Sequence, residues 1–130
     1  MIERCFDYRR VKRLAKWPLC VSDEVYYLID VEDGEDIGVW FFHPNNDAFQ
    51  VHASMKEGNR GRRAAQSVRE CFRWMFAHTK TKKIIAAIPK DYREVHVMAR
   101  HVGMTFDGID VRDFRCYSLD KMAFEQGNRI

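Results

Sequence analysis

An apolar strand-like run, a glycine-containing turn and a long amphipathic helix follow one another between residues 48 and 79, and that succession restricts the folds open to a chain of 130 residues. Ala48–Met55 reads as strand. Gly58–Ala65 is Gly-Asn-Arg-Gly-Arg-Arg-Ala-Ala. In Arg62–Thr79, residues Ala64, Ala65, Val68, Cys71, Phe72, Met75 and Phe76 recur at helical spacing on one face, with Arg69 and Arg73 elsewhere. A glycine turn between a strand and a helix aims several backbone N–H groups one way, and the helix dipole adds its positive end. The product is an anion site suited to phosphate. Arg60, Arg62 and Arg63 deepen the positive potential, so the sequence predicts a phosphorylated cofactor or partner bound there.

The flanking segments supply a sheet. Ile2–Phe6 is a short opening strand, and Tyr8–Trp17 a basic helix ended by Pro18. Glu24–Val31 is rich in β-branched and aromatic residues, and Ile37–His43 resumes as strand after the turn signal Glu32–Asp36, whose acidic run reads as a solvated hairpin tip. With Ala48–Met55 these form a three-stranded antiparallel meander. Lys83–Ile88 reads as a buried strand. Tyr92–Val102 is a second amphipathic helix closed by Gly103, and Thr105–Arg112 and Phe114–Leu119 are strands. The order β-α-β-β-β-α-β-α-β-β, with one strand–helix–strand crossover inside an otherwise antiparallel set, predicts an α+β fold: a mixed, mostly antiparallel sheet with helices on both faces. Residues 1–130 are expected to form a single domain.

Several function classes recede on composition. The formal charge of +3 is mild for a dedicated nucleic-acid binder, although Arg60, Arg62, Arg63 and Lys56 would be the contact set for one. Cys5, Cys20, Cys71 and Cys116 are too scattered for a zinc site and read as reduced, mostly buried thiols. His96 and His101, five apart, do not share a helix face, so no metal is expected. Met-Ile-Glu-Arg lacks the apolar core of a signal peptide and no apolar run is long enough to span a bilayer, so a cytoplasmic, membrane-free location is expected. Trp74 lies off the apolar stripe of its helix, which suggests a partner surface, a contact with the N-terminal segment or local packing.

Four segments together resemble the GCN5-related N-acetyltransferase (GNAT) superfamily. Ile37–Phe42 resembles its third strand, Phe49–Met55 its fourth, Arg60–Ala65 its coenzyme A pyrophosphate loop, and Lys83–Pro89 followed by Tyr92–Met104 its fifth strand and following helix. The match is best over residues 37–108. Within the superfamily the chain most resembles small phage-encoded members. The loop departs from the usual Gln/Arg-x-x-Gly-x-Gly/Ala. Aligning Arg60 to the first position puts Arg63 where glycine is expected and Ala65 last; aligning Gly61 to the middle glycine puts Gly58 first and Arg63 last. The first alignment keeps more identities. The position four before the closing helix glycine, where the family often has a tyrosine that protonates the leaving thiolate, holds Ala99, and Tyr92 lies about two turns away.

The resemblance implies transfer of an acetyl group from acetyl-CoA to a primary amine. Arg60, Gly61, Arg62, Arg63, Ala64 and Ala65 would hold the pyrophosphate, and the backbone of Ala53, Ser54 and Met55 would meet the pantetheine arm and polarise the thioester. Tyr92 completes the implied cofactor set. His52, the titratable group of near-neutral pKa in the middle of the central strand, is the candidate general base; the competing reading is a packed structural histidine. Arg63, Ala99 and the short Asp7–Asp23 segment motivate an alternative: a non-catalytic scaffold of the same fold, such as a phage assembly or virion component, with a protein partner or a homo-oligomer.

Overall fold

The computed structural model describes residues 1–56 and 61–127. Its elements are β1 (Ile2–Arg4), α1 (Tyr8–Leu14), β2 (Tyr26–Glu32), β3 (Glu35–Asn45), β4 (Ala48–Met55), α2 (Arg62–His78), β5 (Lys83–Ile88), α3 (Arg93–His101), β6 (Thr105–Ile109), β7 (Arg115–Asp120) and α4 (Lys121–Gly127). They build a seven-stranded sheet in the order β1-β2-β3-β4-β5-β7-β6. Every strand pair is antiparallel except β4 with β5, which α2 connects. This is the mixed α+β architecture expected.

Two tight turns set the meander. Asp33 and Gly34, with φ of 52° and 78°, join Glu32 to its partner Glu35. The turn needs φ > 0 at both central residues, and Asp-Gly tolerates this well. Asn46, also at positive φ, turns β3 into β4. β3 runs past the expected His43 to Asn45 and includes Pro44, because β2 starts opposite Phe42 and no strand there needs the N–H that proline lacks.

The two faces are covered unequally. α1 lies on one face, over Tyr27, Ile29, Val39 and Phe41. On the other, α2, α3 and α4 bury Phe42, Phe72, Met75, Ile84 and Tyr117 among others. Trp40 Nε1–H donates to Ser67 Oγ at 2.8 Å, tying α2 to the sheet through a buried hydrogen bond. Trp74 is half-buried and packs on Tyr26 of β2 and on His78, so packing accounts for it.

Three expectations are corrected. α1 ends at Leu14 rather than Trp17, because the Leu14 carbonyl accepts the Ser54 hydroxyl at 2.7 Å and Ala15 turns extended. α4 has no counterpart in the expected order; Phe124 anchors it against Phe72 and Phe76. The acidic run is an anchor: Glu32 pairs with Arg63, Glu35 with Lys56, and Asp36 with Arg10. Of the four free cysteines, Cys5 and Cys71 are buried while Cys20 is exposed.

Candidate functional site

β4 holds β5 over a short length only. Phe49 pairs with Ile84 and Gln50 with Ile85, and beyond them no further ladder pair forms among the described residues, which leaves the inward backbone edge of β4 without a strand partner. Lys56 N–H donates to Ile37 O at 2.8 Å, which sets the alternation along β4. His52 and Ser54 direct their backbone groups to β3, and Ala53 and Met55 direct theirs into the opening left by β5. An edge amide in such an opening is a donor awaiting an extended ligand.

α2 begins at the same end of the sheet. Its N-cap, Gly61, has φ 72° and ψ −127°, and among the described residues no side chain caps the first turn. The φ explains the glycine, since a Cβ there would meet nothing within 4 Å. Ala65 N–H bonds back to Gly61 O at 3.0 Å, which withdraws it from any ligand. The N–H groups of Arg62, Arg63 and Ala64 have no intrahelical acceptor. Arg60 lies outside the described residues.

The Arg63 side chain turns away from the helix start whose positive potential it was expected to deepen. Nη2 lies 2.7 Å from Asp30 Oδ2 and Nε donates to Glu32 Oε2 at 3.0 Å. Asp30 is wholly buried on β2 at a register shift that follows Asp30. The guanidinium thus points into the molecule, and its carboxylate partners hold it charged more firmly than usual against the opposing cost of burial. Ser54 differs from its neighbours: its N–H faces β3 and its buried hydroxyl donates to Leu14 O.

On the α1 face, His52 belongs to an aromatic stack. Its ring lies 5.2 Å from His43, 5.8 Å from Phe41 and 6.4 Å from Trp17. His43 Nε2 and His52 Nε2 are 3.1 Å apart, so one ring donates and the other accepts. The residue is exposed, with the Phe41 and His43 rings stacked beside it. Burial first, then the charges of His43 and Arg112, push the His52 pKa below its ordinary value. The imidazole is therefore neutral at neutral pH and able to take a proton.

Ala99 is buried in the core beneath α3. Tyr92 caps α3, exposed, at the end of β5. His96 is structural: Nε2–H donates to Pro89 O and Nδ1 meets Tyr117 Oη, each at 2.9 Å. Among the described residues no three His, Cys, Asp or Glu converge as a metal site, and no helix is long and apolar enough to cross a membrane. A surface hollow of about 420 Å³ lies at the far end of the sheet, beside Phe49, His78 and Thr81, away from the strand opening.

His43 is the residue that sequence reasoning missed. It sits diagonally from His52 across the β3–β4 ladder, where Phe41 faces His52 and His43 faces Gln50. The two-residue turn at Asn46-Asp47 carries that register, and alternation then puts both rings on one face.

Solved structures share this fold. A mutant spermidine N-acetyltransferase from Vibrio cholerae matches with a TM-score of 0.80 at 10% identity, over 98% of this chain and 99% of that one. Campylobacter jejuni N-acetyltransferase PseH in complex with acetyl coenzyme A matches at 0.69 and 16%, over 87% and 74%. Ribosomal-protein-S5-alanine acetyltransferase from Vibrio fischeri matches at 0.68 and 16%, over 76% of this chain and 63% of that one, so the chain spans less than two thirds of its length. No family model and no curated protein matches the sequence. At these identities the likeness is one of fold: the chain has the acyl-CoA N-acyltransferase fold of GNAT enzymes.

Proposed function

We propose that this chain, built on the GNAT fold, is an acetyl-CoA-dependent N-acetyltransferase acting on a primary amine. The observation that carries the reading is the end of the β4–β5 ladder at Gln50, beside a helix start that no side chain caps among the described residues. The first-turn amides at 62–64 suit a diphosphate, and the inward edge of Ala53 and Met55 suits the amide-bearing pantetheine arm. PseH, of the same fold, is described in complex with acetyl coenzyme A.

His52 takes a proton from the acceptor ammonium. The amine nitrogen then attacks the thioester carbonyl, whose developing negative charge Ala53 or Met55 N–H stabilises. The C–S bond breaks, the nitrogen gives up its second proton to water as the amide forms, and the thiolate departs. With Ala99 in the core, water protonates that thiolate, a workable leaving group because a thiol ionises near pH ~8.5. Tyr92, exposed at the end of β5, borders the donor.

Isothermal titration with acetyl-CoA and CoA, followed by thiol release over an amine panel, tests this. Micromolar donor binding and amine-dependent thiol release are expected. No donor binding at millimolar concentration sinks the proposal. Binding without transfer to any amine would return the chain to the scaffold alternative.

A further inference from the structure

The acceptor side of the site is bounded by an uncompensated positive surface. Residues 9–17 read Arg-Arg-Val-Lys-Arg-Leu-Ala-Lys-Trp, with no acid among them. Arg10 alone of these cations turns inward, 2.7 Å from Glu3 and 2.6 Å from Asp36. Arg9, Lys12, Arg13 and Lys16 are exposed, and none makes an ion pair among the described residues.

This surface adjoins His52. Ser54 Oγ donates to Leu14 O at 2.7 Å, and the Trp17 ring lies 6.4 Å from His52, so the segment carrying Arg13 and Lys16 crosses β4 beside the histidine pair. The Trp17 indole N–H is buried there with no hydrogen-bond partner among the described residues. Arg112, exposed in the β6–β7 turn, approaches from elsewhere and bears on His52 electrostatically. The acids nearby are engaged: Asp36 and Glu3 by Arg10, Asp110 by Arg112, and Asp7 by the first amides of α1. Asp23 lines a separate hollow with Arg4 and Cys5.

Resting on the acetyl-transfer reading, we infer that the acceptor amine is carried on an acidic peptide segment that lies along α1, its carboxylates meeting Arg9, Lys12, Arg13 and Lys16. From Arg9 to Arg13 the cations rise about 6 Å along the helix at about 1.5 Å per residue, and Lys16 follows in the extended segment beyond it, so the row matches a few residues of extended chain at ~3.3 Å each. A small amino acid carries one carboxylate and reaches one of these cations. A polyamine is repelled by all of them.

The test is a peptide series with one central lysine flanked by Glu, by Gln or by Arg, with spermidine and a homopolymeric RNA alongside. Thiol release gives kcat/KM at low and high salt, and fluorescence anisotropy gives peptide affinity without donor. The Glu-flanked peptide is expected to exceed the Gln-flanked one about tenfold at low salt, and the gap to close as salt screens it. The double variant Arg9→Glu, Lys16→Glu should invert the order with acetyl-CoA affinity unchanged. It spares the helix, because an acid in the first turn suits the dipole and Lys16 lies outside α1. Equal rates for Glu- and Arg-flanked peptides, spermidine as the best acceptor, or salt-sensitive RNA binding that displaces the peptide would each overturn the inference. Selective anisotropy binding of the Glu-flanked peptide without donor binding would uphold the surface and overturn the acetyl-transfer reading instead.

Discussion

Replacing Arg63 with Met is expected to destabilise the fold by about 3 kcal/mol. Asp30 is fully buried, whereas the Arg63 side chain is 20% exposed and Glu32 is 49% exposed. Breaking a buried pair by removing one partner costs about 3–5 kcal/mol, because the other charge stays buried; an exposed pair adds under ~1. The Met1 ammonium, 3.1 Å from Asp30, remains as a second cation and places the cost at the lower end. For 130 residues the unfolding entropy is about 0.27 kcal/mol/K, so Tm should fall by about 11 °C. Urea melts of Asp30→Asn, Arg63→Met and the double variant form a cycle, with a coupling of about 2 kcal/mol expected. Additive losses, or singles each costing under ~1 kcal/mol, would refute the argument. The same pair holds the first turn of α2, so the single variants should also weaken acetyl-CoA. S-acetylpantetheine, which lacks the diphosphate, should be used as well by the variants as by the parent.

Other perturbations separate the remaining contacts. His43→Gln removes a charge that keeps His52 low, so the acid limb of the pH–rate profile should move up towards, without reaching, the ordinary value of about 6.5, since burial persists; an unmoved midpoint would show that the rings are uncoupled. The Asp36 pKa is lowered chiefly by its hydrogen bonds from Arg10, so its contribution to stability is present above its unfolded value of ~3.9 and is lost as pH falls through the lower folded value. Asp36→Asn should therefore flatten the stability curve in that acidic window, as denaturant melts between pH 2 and 5 would read. Phe124→Ala should cost about 3 kcal/mol and melt α4, seen as lost hydrogen-exchange protection over 121–127.

Features that depend on local backbone demands were legible in the sequence. Asp33-Gly34 had to turn because both residues tolerate positive φ, and α2 had to form because seven apolar residues share one face. Features that depend on what lies opposite were not. α4 is under two turns long with Phe124 as its buried anchor, too short for periodicity to register. The end of α1 is set by a hydroxyl forty residues away, and the role of Glu32 by an arginine thirty-one residues away. His43 became visible only once the register of β3 on β4 was known.

Arg63 joins these two kinds of information. By the preferred loop alignment it occupies a position where the resemblance expects glycine, and glycine serves there by letting a phosphate approach the backbone. At the second residue of an α-helix, however, the side chain and the N–H leave the backbone in different directions. Here the side chain runs inward to Asp30 and Glu32, so its own bulk does not lie over the first-turn amides. An inward arginine thus satisfies the steric demand that glycine meets elsewhere, provided a buried acid waits beneath it, and Asp30 is that acid. The departure from pattern at residue 63 thus comes with a buried ion pair that turns the Arg63 side chain away from the first-turn amides. The substitution has a consequence that glycine would lack, since the orientation of the first turn now depends on a carboxylate in β2, on the far side of β3 from the strand that lines the opening.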